Sequence, residues 1–335
     1  MSMKTSTRFR SGSVLLIAIG LAASACGSGD GGSTVAAGSS ASTVTFAFQP
    51  ASSTACLKVT DERGIFRKHG ITMKYGTAAP NAAGQVAQIL NGQITAGAGA
   101  YTAVLNAVSS KLALVITSGL EEDYKKDGQS PTAVMVGKNS TIKSFEQLEG
   151  KTVAVNSLQG SWEVLLKESV AKSGGDPTSV KLVAVPFPDQ ATALKSGRVD
   201  AVYTLQPFVA QLMGEGFKDI GDPFAVTFEK PDAVQSVTFM AKKFVDANPI
   251  VAKNFVAALQ EGDKWCNAHP DDMKKAIARI TKVSQQVVDE TPLPVYDAGI
   301  DPAETKTWGE LLVKYGILKK APAADAVQWS GVPAK

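Results

Sequence analysis

Histidine and cysteine are the scarcest reactive side chains of this sequence, two and three among 335 residues. His69 and His269 stand apart, and neither lies at ligand spacing to a cysteine, so the spacing signature of a metal site is missing. Beyond the first 25 residues no apolar run reaches the ~20 residues needed to cross a bilayer. An excess of positive charge is lacking too. The formal charge of +3 belongs to Lys4, Arg8 and Arg10, and the body that follows residue 25 is neutral. A nucleic-acid partner, which would want a basic surface, is therefore not expected. No repeat in the range of about 20–50 residues is present, which excludes a solenoid or propeller.

What is there begins with an export device. Lys4, Arg8 and Arg10 form a positive segment, Val14 to Ala23 an apolar run, and Ala23-Ser24-Ala25 a small-residue stretch before Cys26. That is the order of a secretory signal, expected over residues 1–25. A cysteine directly after the small residues resembles a bacterial lipobox, in which the thiol is acylated and becomes the new N-terminus. Ala23 stands where that motif usually has leucine, and an ordinary cleavage site with an incidental cysteine is the alternative. Gly27 to Thr43 is nearly all Gly, Ser, Ala and Thr, cannot form a core, and would reach about 20–25 Å as a flexible tether. Lipid on Cys26 and a tether over 26–43 would hold the protein outside the cell membrane. Of the other cysteines, Cys56 and Cys266 either bridge or lie as separate buried thiols, which only geometry decides.

From Val44 onward strands and helices alternate. Strands are expected at 44–48, 71–75, 94–97, 112–117, 132–136, 152–155, 180–185, 200–204 and 237–241. Helices are expected between most of them, and four more after Ala247. Ser53, Thr54 and Asp189 read as N-caps, and Ser144 to Gln147 as a capping box. Leu112 to Thr117 reads as a buried parallel strand. The pattern predicts an α/β fold of two doubly wound lobes with parallel sheets, joined by a two-strand hinge and finished by C-terminal helices. A lone late strand predicts that the chain returns to its first lobe, giving lobe I as 44–135 plus 240–335 and lobe II as 136–239. The cleft between them is the expected site, since ligands bind beyond the carboxyl ends of such strands.

Four strand-to-helix junctions therefore carry the candidate ligand residues. They contribute Gln49, Ser52, Ser53 and Thr54; Gly99, Ala100, Tyr101 and Thr102; Gln159, Gly160, Ser161 and Trp162; and Gln206 before Pro207. None holds Lys or Arg, yet backbone N–H groups and helix dipoles can receive a small anion without a cation. Tyr101, Trp162 and Phe187 could wall the organic part of a ligand. Each junction taken singly is also what helix capping requires, so the expectation rests on four of them sharing the sheet edges.

Three segments carry a resemblance. Glu62-Arg63-Gly64-Ile65-Phe66-Arg67-Lys68-His69-Gly70-Ile71 resembles the opening of the nitrate/sulfonate/taurine solute-binding family, where a helix is followed by Gly-Leu-Phe and Gly-Leu. FEQLEGKTVAV, from Phe145 to Val155, resembles its Asp-Leu-x-Gly-Lys-x-Val segment. ALKSGRVDAVYTLQP, from Ala193 to Pro207, resembles its Ala-Leu-x-x-Gly-x-Val-Asp-Ala segment followed by Glu-Pro. The resemblance spans residues 44–315. It implies a type II periplasmic-binding fold and hinge closure on a small-molecule ligand. It also implies delivery to the membrane permease and ATPase of an ABC importer, with no cofactor and a monomeric chain. Two departures replace an acid: Thr95 in Gly92-Gln93-Ile94-Thr95, and Gln206 before Pro207. Losing a negative charge near the cleft is expected to favour an anionic or neutral ligand. A small organic sulfonate or carboxylate is expected first, then a nitrate-like anion or a thiamine-type pyrimidine.

An enzyme or a ligand sensor on the same fold is the rival class. Catalysis would want a nucleophile with its base, a metal cluster or a cofactor lysine, and none assembles here. Gly97-Ala98-Gly99 lacks the third glycine and later acid of a dinucleotide fingerprint. The chain is therefore expected not to be an enzyme.

Overall fold

Strand β1 (Ser42–Phe48) buries Val44 and Phe46 completely and starts the first of two five-stranded sheets. The computed structural model describes residues 42–79, 82–122, 130–229 and 232–335. The expected signal segment, Cys26 and all of the tether except Ser42 and Thr43 lie outside them. After β1 come α1 (Ser52–Glu62), α2 (Ile65–Lys68), β2 (Ile71–Thr77), α3 (Ala82–Leu90), β3 (Ala96–Ala100), α4 (Tyr101–Ser109) and β4 (Leu114–Glu122). The chain then supplies β5 (Thr132–Val136), a 3-10 turn at Glu146–Leu148, β6 (Thr152–Val155), α5 (Ser161–Lys172), β7 (Lys181–Ala184) and α6 (Phe187–Lys195). β8 (Ala201–Leu205), α7 (Phe208–Gly214), β9 (Lys218–Asp219) and α8 (Pro223–Phe228) complete that part. The return consists of β10 (Val234–Ala241), α9 (Lys242–Ala247), α10 (Pro249–Ala268), α11 (Pro270–Thr281), α12 (Gln285–Asp289), α13 (Pro302–Lys314) and α14 (Ala324–Val327).

The strand orders are β2-β1-β3-β10-β4 and β7-β6-β8-β5-β9. Each sheet is mixed, not parallel throughout as the alternation predicted. β10 runs antiparallel to β3 and β4, and β5 antiparallel to β8 and β9. In both sheets the strand shared by these antiparallel pairs is the one that arrives from the other lobe. β4 differs from expectation as well. It pairs along its length only with β10, and is buried because side chains on both of its faces enter separate cores. Its outer edge is covered by returning chain: Gly119 N–H donates to the Ala298 carbonyl, and Trp329 N–H to the Ile116 carbonyl, both at 2.9 Å.

Sheet membership moves the lobe boundaries. β5 belongs wholly to the second sheet and β10 wholly to the first, so crossings at 135/136 and 239/240 would cut through strands. The crossings fall instead between Glu122 and Thr132 and between Phe228 and Val234.

Two features fix the returning helices. Cys56 on α1 and Cys266 on α10 form a disulfide, with their Cα atoms 5.9 Å apart. Helix α13 opens with Asp301, whose carboxylate accepts the Ala303 N–H at 2.9 Å, and with Pro302 in its first turn. Its Trp308 is fully buried, 6.4 Å from Tyr101 of α4 and 5.9 and 5.0 Å from Phe224 and Phe228 of α8. Just beyond, Lys314 and Tyr315 both reach the Glu168 carboxylate of α5, at 2.5 and 2.6 Å. Burial works against that carboxylate's charge, but these two partners outweigh it and hold Glu168 below the usual carboxylate range. α13 thus packs on both lobes.

Candidate functional site

The carboxyl ends of β1 and β3 from the first sheet, and of β6, β7 and β8 from the second, each lead into a helix. The N-cap residues are Ala51, Ala100, Gly160, Pro186 and Pro207, and none caps through a side chain. By contrast, α8, α12 and α13 are capped by Asp222, Ser284 and Asp301. Helices that start at these five junctions therefore keep the positive end of the helix dipole free of an N-cap side chain, although two of their first-turn N–H groups are taken by side chains from elsewhere. In α7 the Gln206 side chain accepts the Ala210 N–H at 3.2 Å.

In the first junction Gln49 donates its amide to the Ala79 carbonyl at 2.7 Å and braces the loop. Thr54 is buried and turns its hydroxyl back to the Gln49 carbonyl at 2.5 Å, so neither it nor Ser53 serves as the expected N-cap. Ser52 is buried at the first turn of α1, and its carbonyl accepts from the Tyr296 hydroxyl at 2.9 Å. Ser53 stays half-exposed. Asp189 does not cap α6 either; it sits in the first turn, one of the residues after the Pro186 cap. Ser144 to Gln147 makes no capping box. Gln147 instead accepts the Lys143 N–H at 2.7 Å beside the 3-10 turn.

In the second junction Gly99 and Ala100 finish β3 opposite Val237 and Ser236. Tyr101 does not wall the cleft. Its ring is fully buried against Trp308, and its hydroxyl meets Thr305 at 2.8 Å and Gln328 at 3.1 Å. Burial pushes its phenol up to about 12, so it stays neutral. Thr102 is buried and faces the third junction, where Ser161 N–H donates to its hydroxyl at 3.1 Å. One turn on, Asn106 donates its amide to the Gln159 carbonyl at 3.1 Å. The second and third junctions, one from each lobe, therefore touch. Gln159 is exposed with φ 58°, and Gly160 and Ser161 follow into α5.

Trp162 and Phe187 lie together, with ring centroids 4.9 Å apart. Two aromatics that sequence reasoning missed join them. Tyr203 lies 4.5 Å from Trp162, and Phe208 stacks at 6.5 Å on Phe187. Phe208 starts α7 in the way Phe187 starts α6, so the rule that picked one could have picked the other. Gln206 leaves the ligand set. It is buried, caps α7, and donates to the Ser130 carbonyl at 3.2 Å. With both ends of its amide engaged, it shapes the loop and does not set the charge of the cleft.

Ala100, Ser236 and Glu121 stand in one cross-strand row at the end of the first sheet. The Ser236 hydroxyl is buried without a partner. Part of Glu121 remains accessible, but burial of its carboxyl raises it to about 8. The folded chain therefore holds a proton that the unfolded chain releases in the ordinary Glu range. This contribution to stability is complete below that range and is lost as pH rises to about 8. Denaturant titrations from pH 4 to 9 should show Glu121→Gln flattening this loss. An unchanged slope would remove Glu121 as its source.

A groove of about 530 Å³ runs along edge strand β7, past Val183, Pro186, Asp189 and Arg198, on the far side of that sheet's order from β5. His69 ends α2 beside Glu261, and His269 stacks on Trp265 after α10, so neither histidine joins a junction. Among the described residues no group of His, Cys, Asp and Glu could hold a metal ion, and no helix is long and apolar enough to cross a membrane.

The family model described as NMT1/THI5 like matches residues 52–273, well over half of the chain. The chain belongs to the NMT1/THI5-like family. No curated protein matches it significantly. The fold of this NMT1/THI5-like chain is that of periplasmic binding proteins. One similar structure is the alkanesulfonate-binding protein SsuA from Xanthomonas axonopodis pv. citri bound to MOPS. Identity to it is 17%, the TM-score is 0.70, and 88% of this chain and 99% of that chain are covered. Another is the periplasmic nitrate-binding protein NrtA from Synechocystis PCC 6803, at 15% identity and TM-score 0.66, with 86% of each chain covered. The desulfurization enzyme DSZB shares the fold at 16% identity and TM-score 0.58, covering 87% and 97%.

Proposed function

We propose that this NMT1/THI5-like protein is an exported solute-binding protein, anchored to the membrane by lipid on Cys26. It captures a small organic anion, a sulfonate or carboxylate, between its two lobes and delivers it to the permease and ATPase of an ABC importer. The observation that carries this reading is the meeting of Thr102 with Ser161, which brings uncapped helix starts from both sheets to one seam. Helix dipoles and first-turn N–H groups other than that of Ser161 suit an anionic head there, and Trp162 with Phe187 and Phe208 suits a carbon body more than a bare inorganic ion. Binding proteins among the similar structures support a transport role, while the enzyme on the same fold keeps turnover as the rival.

A thermal-shift screen of sulfonates, aliphatic and aromatic carboxylates, nitrate and pyrimidines tests it, on the chain from residue 26 with Cys26→Ser. A solute at a thousand times its dissociation constant stabilises by about 4 kcal/mol and raises the midpoint by several degrees. A selective response to organic anions is expected. Response to a cationic pyrimidine, with none to sulfonates or carboxylates, would sink the proposed class.

A further inference from the structure

Between α4 and the loop that leads into α5, the two lobes are joined by two hydrogen bonds of opposite sense. Thr102 accepts from the Ser161 N–H, and Asn106 donates to the Gln159 carbonyl, each at 3.1 Å. Thr102 and Asn106 are four residues apart and so share one face of α4. Their partners flank Gly160. A slip of the helix along the loop would break both bonds at once.

The loop's side of this contact is held by side chains of its own lobe. Gln159 adopts a left-handed backbone that a non-glycine residue takes up only when its surroundings hold it there. Its N–H is gripped by the Glu163 carboxylate at 2.8 Å, and Glu163 is gripped by Lys167 at 2.5 Å. This lobe II network aims the Gln159 carbonyl across the seam, where the Asn106 amide meets it. The other end of that amide, Oδ1, is buried and has no partner. Asn106 therefore spends its hydrogen bonding on the opposite lobe and not on its own.

We infer that Asn106 is a closure latch, a positioning residue that holds the two lobes together through the Gln159 carbonyl and so sets how long a bound solute stays. The solute-residence half of this inference rests on the proposed capture of a solute between the lobes; the latch itself does not. Side chain to main chain is a suitable bond for the purpose, since the loop's own side chains stay free to vary. Thr102 seconds it by holding the first amide of α5 in register.

The test reads the lobes directly. Spin labels at Lys74→Cys on β2 and Ser196→Cys after α6, both exposed, report the interlobe distance in the solute-free chain from residue 26 with Cys26→Ser. Asn106→Asp keeps the shape but sets a carboxylate against the carbonyl. It should lengthen the mean distance by more than about 2 Å and broaden its distribution. Thr102→Val, which removes the acceptor, should act in the same direction, and Thr102→Ser should leave the distribution as it was. In a soluble panel hit, Asn106→Asp should speed dissociation about three- to tenfold with association unchanged. Unaltered distributions in both Asn106→Asp and Thr102→Val would overturn the latch, as would Thr102→Ser opening as far as Thr102→Val. A panel in which no solute binds would sink the proposed function alone, because the latch is measured without solute.

Discussion

Replacing Trp308 with alanine should destabilise the protein by about 3–5 kcal/mol, the range for deleting a large buried aromatic. Trp308 is fully buried, and its ring meets Tyr101 from the first lobe and Phe224 and Phe228 from the second. Each favourable aromatic pair adds about 0.5–1.5 kcal/mol beyond buried area, so one side chain links three such contacts. An opposing effect is that its indole N–H is buried without a partner. Losing that donor relieves a penalty of about 1–3 kcal/mol, which favours the lower end of the range. Roughly 10 °C of midpoint would be lost in a thermal melt. Trp308→Phe keeps the ring and discards the N–H, and should come within about 1.5 kcal/mol of wild type. A loss below about 1 kcal/mol in the alanine variant would mean that α13 contributes little to joining the lobes.

Replacing Trp162 with alanine should act on binding instead. Its ring is half-buried, edge-on to Phe187 at 4.9 Å and Tyr203 at 4.5 Å, and it stands one residue after Ser161 at the lobe seam. As an aromatic anchor of the solute it should contribute about 2 kcal/mol, or roughly 30-fold in affinity. Calorimetric titration of a panel hit measures this. A large fall in the melting midpoint with unchanged affinity would place Trp162 in the core of lobe II and leave Phe187 and Phe208 as the wall.

How much of this was legible depended on how far apart the deciding residues lie. The β5 and β6 limits follow from local pattern, and the structure has them where the sequence puts them. β3 was displaced because its residues, Ala96 to Ala100, carry no β-branched signal, and the nearby Ile94 drew the strand toward itself. Small residues are needed there: a Cβ on Gly97 would stand 2.7 Å from the Gln85 amide oxygen and 3.2 Å from the Phe239 ring. Tyr101 was misread for a different reason. An aromatic at a helix start can face a cleft or a core, and the Thr305 and Gln328 that claim its hydroxyl come from the far end of the chain. The Ser and Thr residues at 53 and 54 were good caps by type, yet Thr54 found the Gln49 carbonyl first. The mixed sheets were hidden because strand direction depends on which lobe the chain arrives from, and no local pattern records that.

The central claim is that a solute is bound between the lobes and released intact. Calorimetric titration of the strongest panel hit, with the compound recovered and analysed afterwards, tests it most directly. The account predicts one-to-one binding, full recovery of the unchanged solute, and affinity that falls in Trp162→Ala. Consumption of the compound, or equal affinity in the wild type and Trp162→Ala with Phe187 also replaced by alanine, would contradict it.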